Sequence, residues 1–557
     1  MNTYLGKKGY TIYKRDLSLE QIQKIKEDLT IKPHVHGSPV QDNQTVYFVY
    51  RESNNKIYVP QHYGIKEFGP PSNVEISEGE NIDIEFNGQL RDYQIPVVEK
   101  YIKETTQNGY SVNDFNYGGG LLELPCAWGK TSASLYILSK IKKKTIVIVH
   151  KEFLMNQWIE RIQQFLPTAR IGKIQGQVID IENKDIVLCM LQSLSMKEYP
   201  PTMFDIFGFM IIDEVHHISS EVFSNSLFKI VTRYMLGLSA TMNRKDGTTY
   251  VFKMFLGDVI FKGKRTEKLN VQVRAIDYKV NDDEFNHVIT DYRGNTSYSS
   301  MITKLCEYNH RSEFILRILI DLLKENENQQ IMILAHNKNL LKYLFDAVKH
   351  RNIANGSVGY YIGGMKELAL KESETKKIVI ATYAMASEGL DIKTLTTLIM
   401  ATPKTDIEQS VGRILREKNE NGPLVVDIID SHDPFKNQWK KRKAFYMKEK
   451  YKIIHTTSDI YNTINTLDNT CAEIWQTVYD PDNVCSSKTT KTSYTTSTAS
   501  TASTASTTPS AILSRLMKPK NSKYKKNVFN NVNTETNYNF NDIDSDPFLQ
   551  GNCFIKL

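Results

Sequence analysis

From Leu90 onward the chain repeats one rhythm, in which short β-branched runs alternate with amphipathic stretches: TIVIVH, then FLMNQWIERIQQFL, then DIVLCML, then FGFMIIDE. Strands buried on both faces read as continuous apolar runs, so this alternation predicts βαβ units around a parallel sheet. After about residue 300 the rhythm restarts with FILRILIDLLK, QIMILAH, LLKYLFDAVK, KIVIAT, TLIMAT and PLVVDIID. Two α/β domains in tandem are therefore expected, and a chain of 557 residues has room for them, since single cores stop growing at about 250 to 300 residues.

The flanks read differently. Residues 1–85 combine a helical pattern (Leu19 to Leu29, with Ser18 as N-cap) with the strand-like runs VYFVY and KIYV, which predicts a small α+β accessory module. The expected division continues with a first α/β domain over 86–262, a polar linker or insertion over 263–300, a second α/β domain over 301–456 and a tail over 457–557. Within the tail, residues 486–510 are a Ser/Thr/Ala tract too poor in apolar surface to pack, so the tail is expected to be disordered and to serve as a tether or docking arm.

Composition excludes more than it selects. No apolar stretch approaches the ~18 to 20 residues of a membrane span. The six cysteines form no CxxC pair, and the start lacks the apolar run of a secretory signal, so a reducing, intracellular setting without structural zinc is expected. Lys plus Arg exceed Asp plus Glu by only 7, too small a surplus to identify a polyanionic partner by itself. Chemistry must come from motifs.

The first is LLELPCAWGKTSASLYIL, in which an apolar run and a tight loop lead into Gly129-Lys130-Thr131 at the start of a helical pattern. Amides at a helix N-terminus bind phosphate, a Lys reaches the β and γ phosphates, and a Thr hydroxyl ligates Mg²⁺. Leu124 stands where a full P-loop has its first Gly, and Ala127-Trp128 precede Gly129, with the Trp128 indole expected to point away from the phosphates, onto the surface or toward a cleft. The second motif, about 80 residues on, sets Asp213 and Glu214 directly after a buried-strand run, at the sheet edge where α/β proteins bind ligands. Asp213 is suited to hold Mg²⁺ and Glu214 to orient an attacking water.

With these two anchors the sequence resembles the superfamily 2 DExH helicases. Leu90-Arg-Asp-Tyr-Gln94 resembles the adenine-reading motif, His150-Lys151 the first nucleic-acid motif, Ser239-Ala-Thr241 motif III, Glu388-Gly-Leu-Asp391 motif V, and Gln409-Ser-Val-Gly-Arg-Ile-Leu-Arg416 motif VI. LPCAWGKT and Arg244-Lys-Asp246 are similar to elements of the XPB branch. YLGKKGYTI, VPQHYG and YYIGGMK look like its relatives in large nucleocytoplasmic DNA viruses, the poxvirus transcript-release helicase among them.

The resemblance implies two RecA-like domains with ATP and Mg²⁺ between them. It implies nucleotide contacts from Gln94, Ala127, Trp128, Gly129, Lys130, Thr131, Ser132, Gly389 and Asp391, and catalytic roles for Lys130, Asp213, Glu214, Gln409 and the arginine fingers Arg413 and Arg416, which share a face of a predicted helix. Coupling through His216, Ser239 and Thr241, and nucleic-acid contacts from His150, Lys151 and Arg244, complete the set. The expected activity is ATP-driven translocation or unwinding on DNA in viral transcription, replication or repair. The alternatives are an RNA helicase with the same engine and a non-hydrolysing nucleic-acid scaffold. Transcription or replication proteins are the expected partners of the tail, and the virion or the cytoplasmic virus factory the expected place of action. The run Lys436 to Lys452, where aromatics interleave with cations, reads equally as a strand-tracking surface or a solvated helix.

Overall fold

The computed structural model describes residues 2–33, 46–107, 118–125, 128–217, 220–242, 244, 246–263, 270–388, 392–415, 422–463 and 474–483. The N-terminal module contains β1 (Thr3–Gly6), β2 (Gly9–Tyr13), β3 (Thr30–Ile31), β4 (Tyr47–Phe48), β5 (Arg51–Glu52), β6 (Lys56–Val59) and β7 (Asn73–Val74). Five of these form a sheet in the order β5-β6-β2-β1-β7. The helix Leu19–Asp28 starts as its sequence predicts: Ser18 Oγ accepts from the Gln21 amide while the Gln21 side chain accepts from the Ser18 amide, which satisfies two of the otherwise orphaned donors. Leu5, Tyr10, Ile12 and Ile57 of the module join Leu121, Ile146 and Ile212 of the next domain in one apolar cluster.

The first α/β lobe contains β8 (Gly119–Glu123), β9 (Thr145–Val149), β10 (Ile171–Gln175), β11 (Val178–Asp180), β12 (Ile186–Met190), β13 (Phe209–Ile212), β14 (Tyr234–Ser239) and β15 (Val259–Lys262), in the order β11-β10-β12-β9-β13-β14-β8-β15. Every pairing is parallel except the hairpin β10–β11. The period of two divides β9 between two cores: Ile146 and Ile148 face one cluster, Val147 and Val149 the other. That two-sided burial is why its sequence reads as an unbroken apolar run.

The second lobe repeats the plan with β16 (Gln272–Tyr278), β17 (Gln330–Ala335), β18 (Val358–Tyr361), β19 (Ile378–Thr382), β20 (Leu395–Met400), β21 (Leu424–Asp430), β22 (Lys452–Thr457) and β23 (Gln476–Tyr479). Their order is β18-β19-β17-β20-β21-β16-β22-β23, parallel except for β22–β23. Here the expected boundaries need correction. The stretch 263–300, read as linker, contributes β16, an interior strand of this sheet, and the tail contributes β23. The polar residues of β16 hid it: Arg274 pairs with Glu325 at 2.8 Å, and Asp277 with His455 at 3.1 Å. The low-complexity tract 486–510 lies outside the described residues. Among the described residues no helix is long and apolar enough to cross a membrane.

Candidate nucleotide site and interlobe cleft

Three neighbouring strands deliver the motifs of the first lobe to one sheet edge. β8 leads into the loop before Lys130, β13 ends at Ile212 just before Asp213, and β14 ends at Ser239, which sits opposite Glu123 of β8. The edge is stitched by the Leu124 amide donating to the Ser239 carbonyl at 2.8 Å.

Gly129 caps the helix Lys130–Ile141 in the left-handed region, with φ of 90°, where only glycine sits without cost. A Cβ there would also meet Gln94 Nε2 at 2.5 Å. The resemblance assigns Gln94 to adenine, but in the structure its buried amide braces the loop. Nε2 donates to the Trp128 carbonyl at 3.1 Å and the Gly129 carbonyl at 3.3 Å, while Oε1 accepts from the Arg91 amide at 2.9 Å. Ser132 Oγ donates to the Gly129 carbonyl at 3.0 Å, and Thr131 follows Lys130 in the first helical turn, half-buried.

Trp128 corrects an expectation. Its indole lies neither on the surface nor in open cleft but is buried in the first lobe's core, 5.3 Å from the Tyr93 ring. Bulk at this position is accommodated by inward packing, and Trp128 takes no positive φ. Ala127 lies outside the described residues.

Lys130 Nζ donates to Glu214 Oε1 at 2.7 Å. Asp213 is buried, accepting from Trp158 Nε1 at 2.9 Å and from the Glu214 amide at 2.9 Å. Burial, then the neighbouring Glu214 charge, push its carboxyl above the ordinary range, and Lys130 and Trp158 pull it back only in part. Two carboxylates thus share one ammonium in a poorly solvated corner, an environment that favours an added cation. The Asp213 carboxylate and the hydroxyl of Thr131, the residue after Lys130, are donor types that suit Mg²⁺, which takes few protein ligands and completes its shell with phosphate and water. Glu214 itself has φ of 49°, a strained conformation for a residue with a Cβ and of the kind that clusters at functional sites.

The lobes meet through His216. Its Nδ1 lies 2.7 Å from Ser239 Oγ and 3.3 Å from Glu214 Oε2, and its Nε2 lies 3.2 Å from Gln409 Nε2 of the second lobe. An amide nitrogen only donates, so in this arrangement Nε2 is the acceptor and Nδ1 carries the proton. Ser239 then accepts from His216 and donates its own O–H to the Thr241 carbonyl. A hydrogen-bonded chain runs from motif III through His216 to motif VI. A second seam joins the lobes, with Lys371 to Glu160 at 2.5 Å and Asn156 to Glu367 at 2.8 Å.

Other expected residues divide. Arg413 lies in the 3₁₀ turn Gly412–Leu415, directly after the short α turn Glu408–Val411 that carries Gln409, so the single helix expected there is broken. Arg416, Gly389 and Asp391 lie outside the described residues. His150 and Lys151 follow β9, next to β13, and both are half-buried.

Arg244, expected on nucleic acid, is instead committed to protein: Nη2 to Asp246 at 2.5 Å, Nε to Thr248 Oγ1 at 2.9 Å and Nη1 to the His216 carbonyl at 2.6 Å. Burial alone would raise the Asp246 pKa, but hydrogen bonds from Arg244 and Thr248 bring it down to about 2. In the helix Asp433–Lys448, Phe435 and Tyr446 are buried while Lys436, Lys440, Lys441 and Lys448 remain exposed, so its outer face offers charge and not base stacking. Sequence reasoning missed Trp158, whose place in an amphipathic core stripe carries no sign of its bond to Asp213.

Comparison with known proteins agrees with this architecture. Residues 87–244 match the family model "Type III restriction enzyme, res subunit", and residues 315–418 the model "Helicase conserved C-terminal domain". A protein of Acanthamoeba polyphaga mimivirus named "Putative ATP-dependent RNA helicase" is 35% identical over 461 residues, 81% of this chain and 86% of its own. One of the same name from African swine fever virus is 28% identical, over 66% of this chain and 75% of its own. A helicase-named protein of Invertebrate iridescent virus 6 is 26% identical, over 77% and 95%.

Proposed function

We propose, from the premise that this chain belongs to the superfamily 2 helicases of the type found in large DNA viruses, that it steps along DNA by closing and opening its two lobes around ATP. The chain is an NTP-hydrolysing helicase.

Incoming γ-phosphate competes with Glu214 for Lys130, and the exchange frees Glu214 to accept a proton from the attacking water. Mg²⁺ held by Thr131 and Asp213 would neutralise charge on the β and γ phosphates. Arg413, on the second lobe, offsets the negative charge that spreads over the γ-phosphoryl oxygens in the transition state.

The observation that carries this reading is the chain Ser239–His216–Gln409, because it joins His216, two residues after Glu214, to the segment bearing Arg413 across the cleft. A change in Glu214 reaches both lobes through His216 Nδ1. The lysine stripe on Asp433–Lys448 supports a grip on phosphates with little sequence preference.

DNA is supported by the first lobe's likeness to the subunit of a restriction enzyme, a class that acts on DNA. RNA is the second reading, favoured by the names of the mimivirus and African swine fever virus relatives. We read the tail as a docking arm for viral transcription or replication proteins, acting in the virion or the virus factory. The deciding experiment is steady-state ATPase with single- and double-stranded DNA and RNA. Stimulation of tenfold or more by DNA alone is expected. Stimulation by RNA alone moves the assignment to the second reading, and a protein that hydrolyses nothing under any condition is a scaffold.

A further inference from the structure

The segment joining β20 to the cross-cleft turn is held in an unusual way. Four consecutive backbone carbonyls each accept a hydrogen bond from a side chain of a different helix. Arg311 Nη1, from Asn309–Glu325, donates to the Ala401 carbonyl at 2.8 Å. Tyr383 Oη, at the start of Tyr383–Glu388, donates to Thr402 at 2.6 Å. Tyr298 Oη, at the start of Tyr298–Glu307, donates to Pro403 at 3.3 Å. Arg442 Nη1, from Asp433–Lys448, donates to Lys404 at 2.9 Å. Thr402 Oγ1 is engaged as well, by the His336 amide at 3.0 Å and Nδ1 at 2.9 Å.

The two guanidinium groups are themselves fixed. Arg311 is bidentate to Asp430 at 2.6 and 2.8 Å, and Arg442 to Asp427 at 2.8 and 2.9 Å, with all four side chains fully buried. Asp427 and Asp430 are three apart on β21 and so face opposite sides of the sheet, which means the loop is gripped from both faces. Buried ion pairs seldom add net stability, because desolvation cancels most of their attraction, and their best-supported return is a single geometry. Five residues after Lys404 comes Gln409, bonded to His216, and after it Arg413.

We propose that Tyr298, Arg311, Tyr383 and Arg442 are positioning residues for hydrolysis: by capturing the carbonyls of residues 401–404 they fix where Gln409 and Arg413 stand across the cleft. The proposal rests on the cleft reading above and adds the device that sets its geometry. A loop with its carbonyls free would still carry the motif VI residues, but spread over many orientations, and small misplacement of a transition-state group costs rate while leaving ground-state binding intact.

The test uses the full chain with the double substitution Tyr298→Phe/Tyr383→Phe, which deletes two hydroxyls and little volume. Nucleic-acid-stimulated kcat falls about tenfold, while KM for ATP and the melting temperature stay near wild type. Adding Gln409→Ala to this protein costs far less than adding it to wild type, because the clamp acts through that residue. If the double variant does not fold, Tyr298→Phe alone, at the rim, is read in the same way. Wild-type kcat in a folded clamp variant, or full additivity with Gln409→Ala, overturns the proposal. The two levels separate cleanly: a Gln409→Ala protein with wild-type turnover removes the cleft reading, whereas a normal Gln409→Ala defect beside unaffected clamp variants removes the clamp alone.

Discussion

Lys130→Ala is expected to abolish hydrolysis and, less obviously, to weaken the first lobe. Lys130 and Glu214 are only 14% and 20% exposed in their side chains and 2.7 Å apart, and Asp213 behind them is buried. Removing the ammonium leaves two adjacent carboxylates without their cation. A charge-assisted hydrogen bond contributes ~1.5–3 kcal/mol when buried. Discounted for the solvent that still reaches this pair, the loss is about 1–2 kcal/mol, or roughly 2–8 °C in the melting temperature of a domain this size. The loss has a pH signature. Asp213 already titrates above the ordinary carboxylate range through burial and Glu214, and Lys130 is one of the groups that hold it down. An acid whose folded pKa exceeds its unfolded value loses stability as pH rises through that interval. The deficit of Lys130→Ala relative to wild type is therefore larger at pH 8 than at pH 5, and Glu214→Gln introduced into the same protein recovers most of it. Thermal unfolding of the four proteins of this cycle at both pH values measures the effect. An unchanged melting temperature at pH 8, or a double variant no better than Lys130→Ala, would refute the reasoning.

Arg413→Ala should cut kcat by about 10³ or more while nucleotide affinity changes little, measured by single-turnover hydrolysis beside equilibrium binding. Trp128→Ala opens a cavity between Tyr93 and the first core and should cost ~3–5 kcal/mol of stability; a melting temperature within error of wild type would show the indole to be peripheral. Deleting residues 486–557 should leave stimulated ATPase within about twofold, since the described lobes close with β23. Ending the chain at 457 instead removes β23 and should yield insoluble or unfolded protein, read by expression and circular dichroism.

What could be read in advance was whatever local pattern encodes. β9, β13 and β17 announce themselves because burial on both faces leaves no polar position to blur them, and Lys130, Asp213 and Glu214 because they sit where such strands end. Contacts that depend on distant segments meeting left no such trace. Gln94 resembled an adenine reader, and only the folded loop shows its amide spent on Trp128 and Gly129. Arg244 carried the charge expected of a phosphate contact, but Asp246, two residues on, already claims it. The aromatics of Asp433–Lys448 looked interleaved with its lysines in one dimension, and helical geometry sorts them onto opposite faces. Tyr298, Arg311, Tyr383 and Arg442 share no spacing at all, since a side chain that binds a carbonyl is indifferent to the residue bearing it.

The placement of β16 bears on how the chain is made. Its two neighbours, β21 and β22, emerge from the ribosome about 150 and about 180 residues later, a delay of roughly 8–36 s at ~5–20 residues per second. For that interval a nascent strand waits with both hydrogen-bonding edges open beside a first lobe whose own strands have all been synthesised. Arg274 and Asp277, the residues that disguise it as linker, are the charges that discourage such a strand from pairing with another chain. The polarity that made β16 hard to recognise thus protects it until the rest of its sheet arrives.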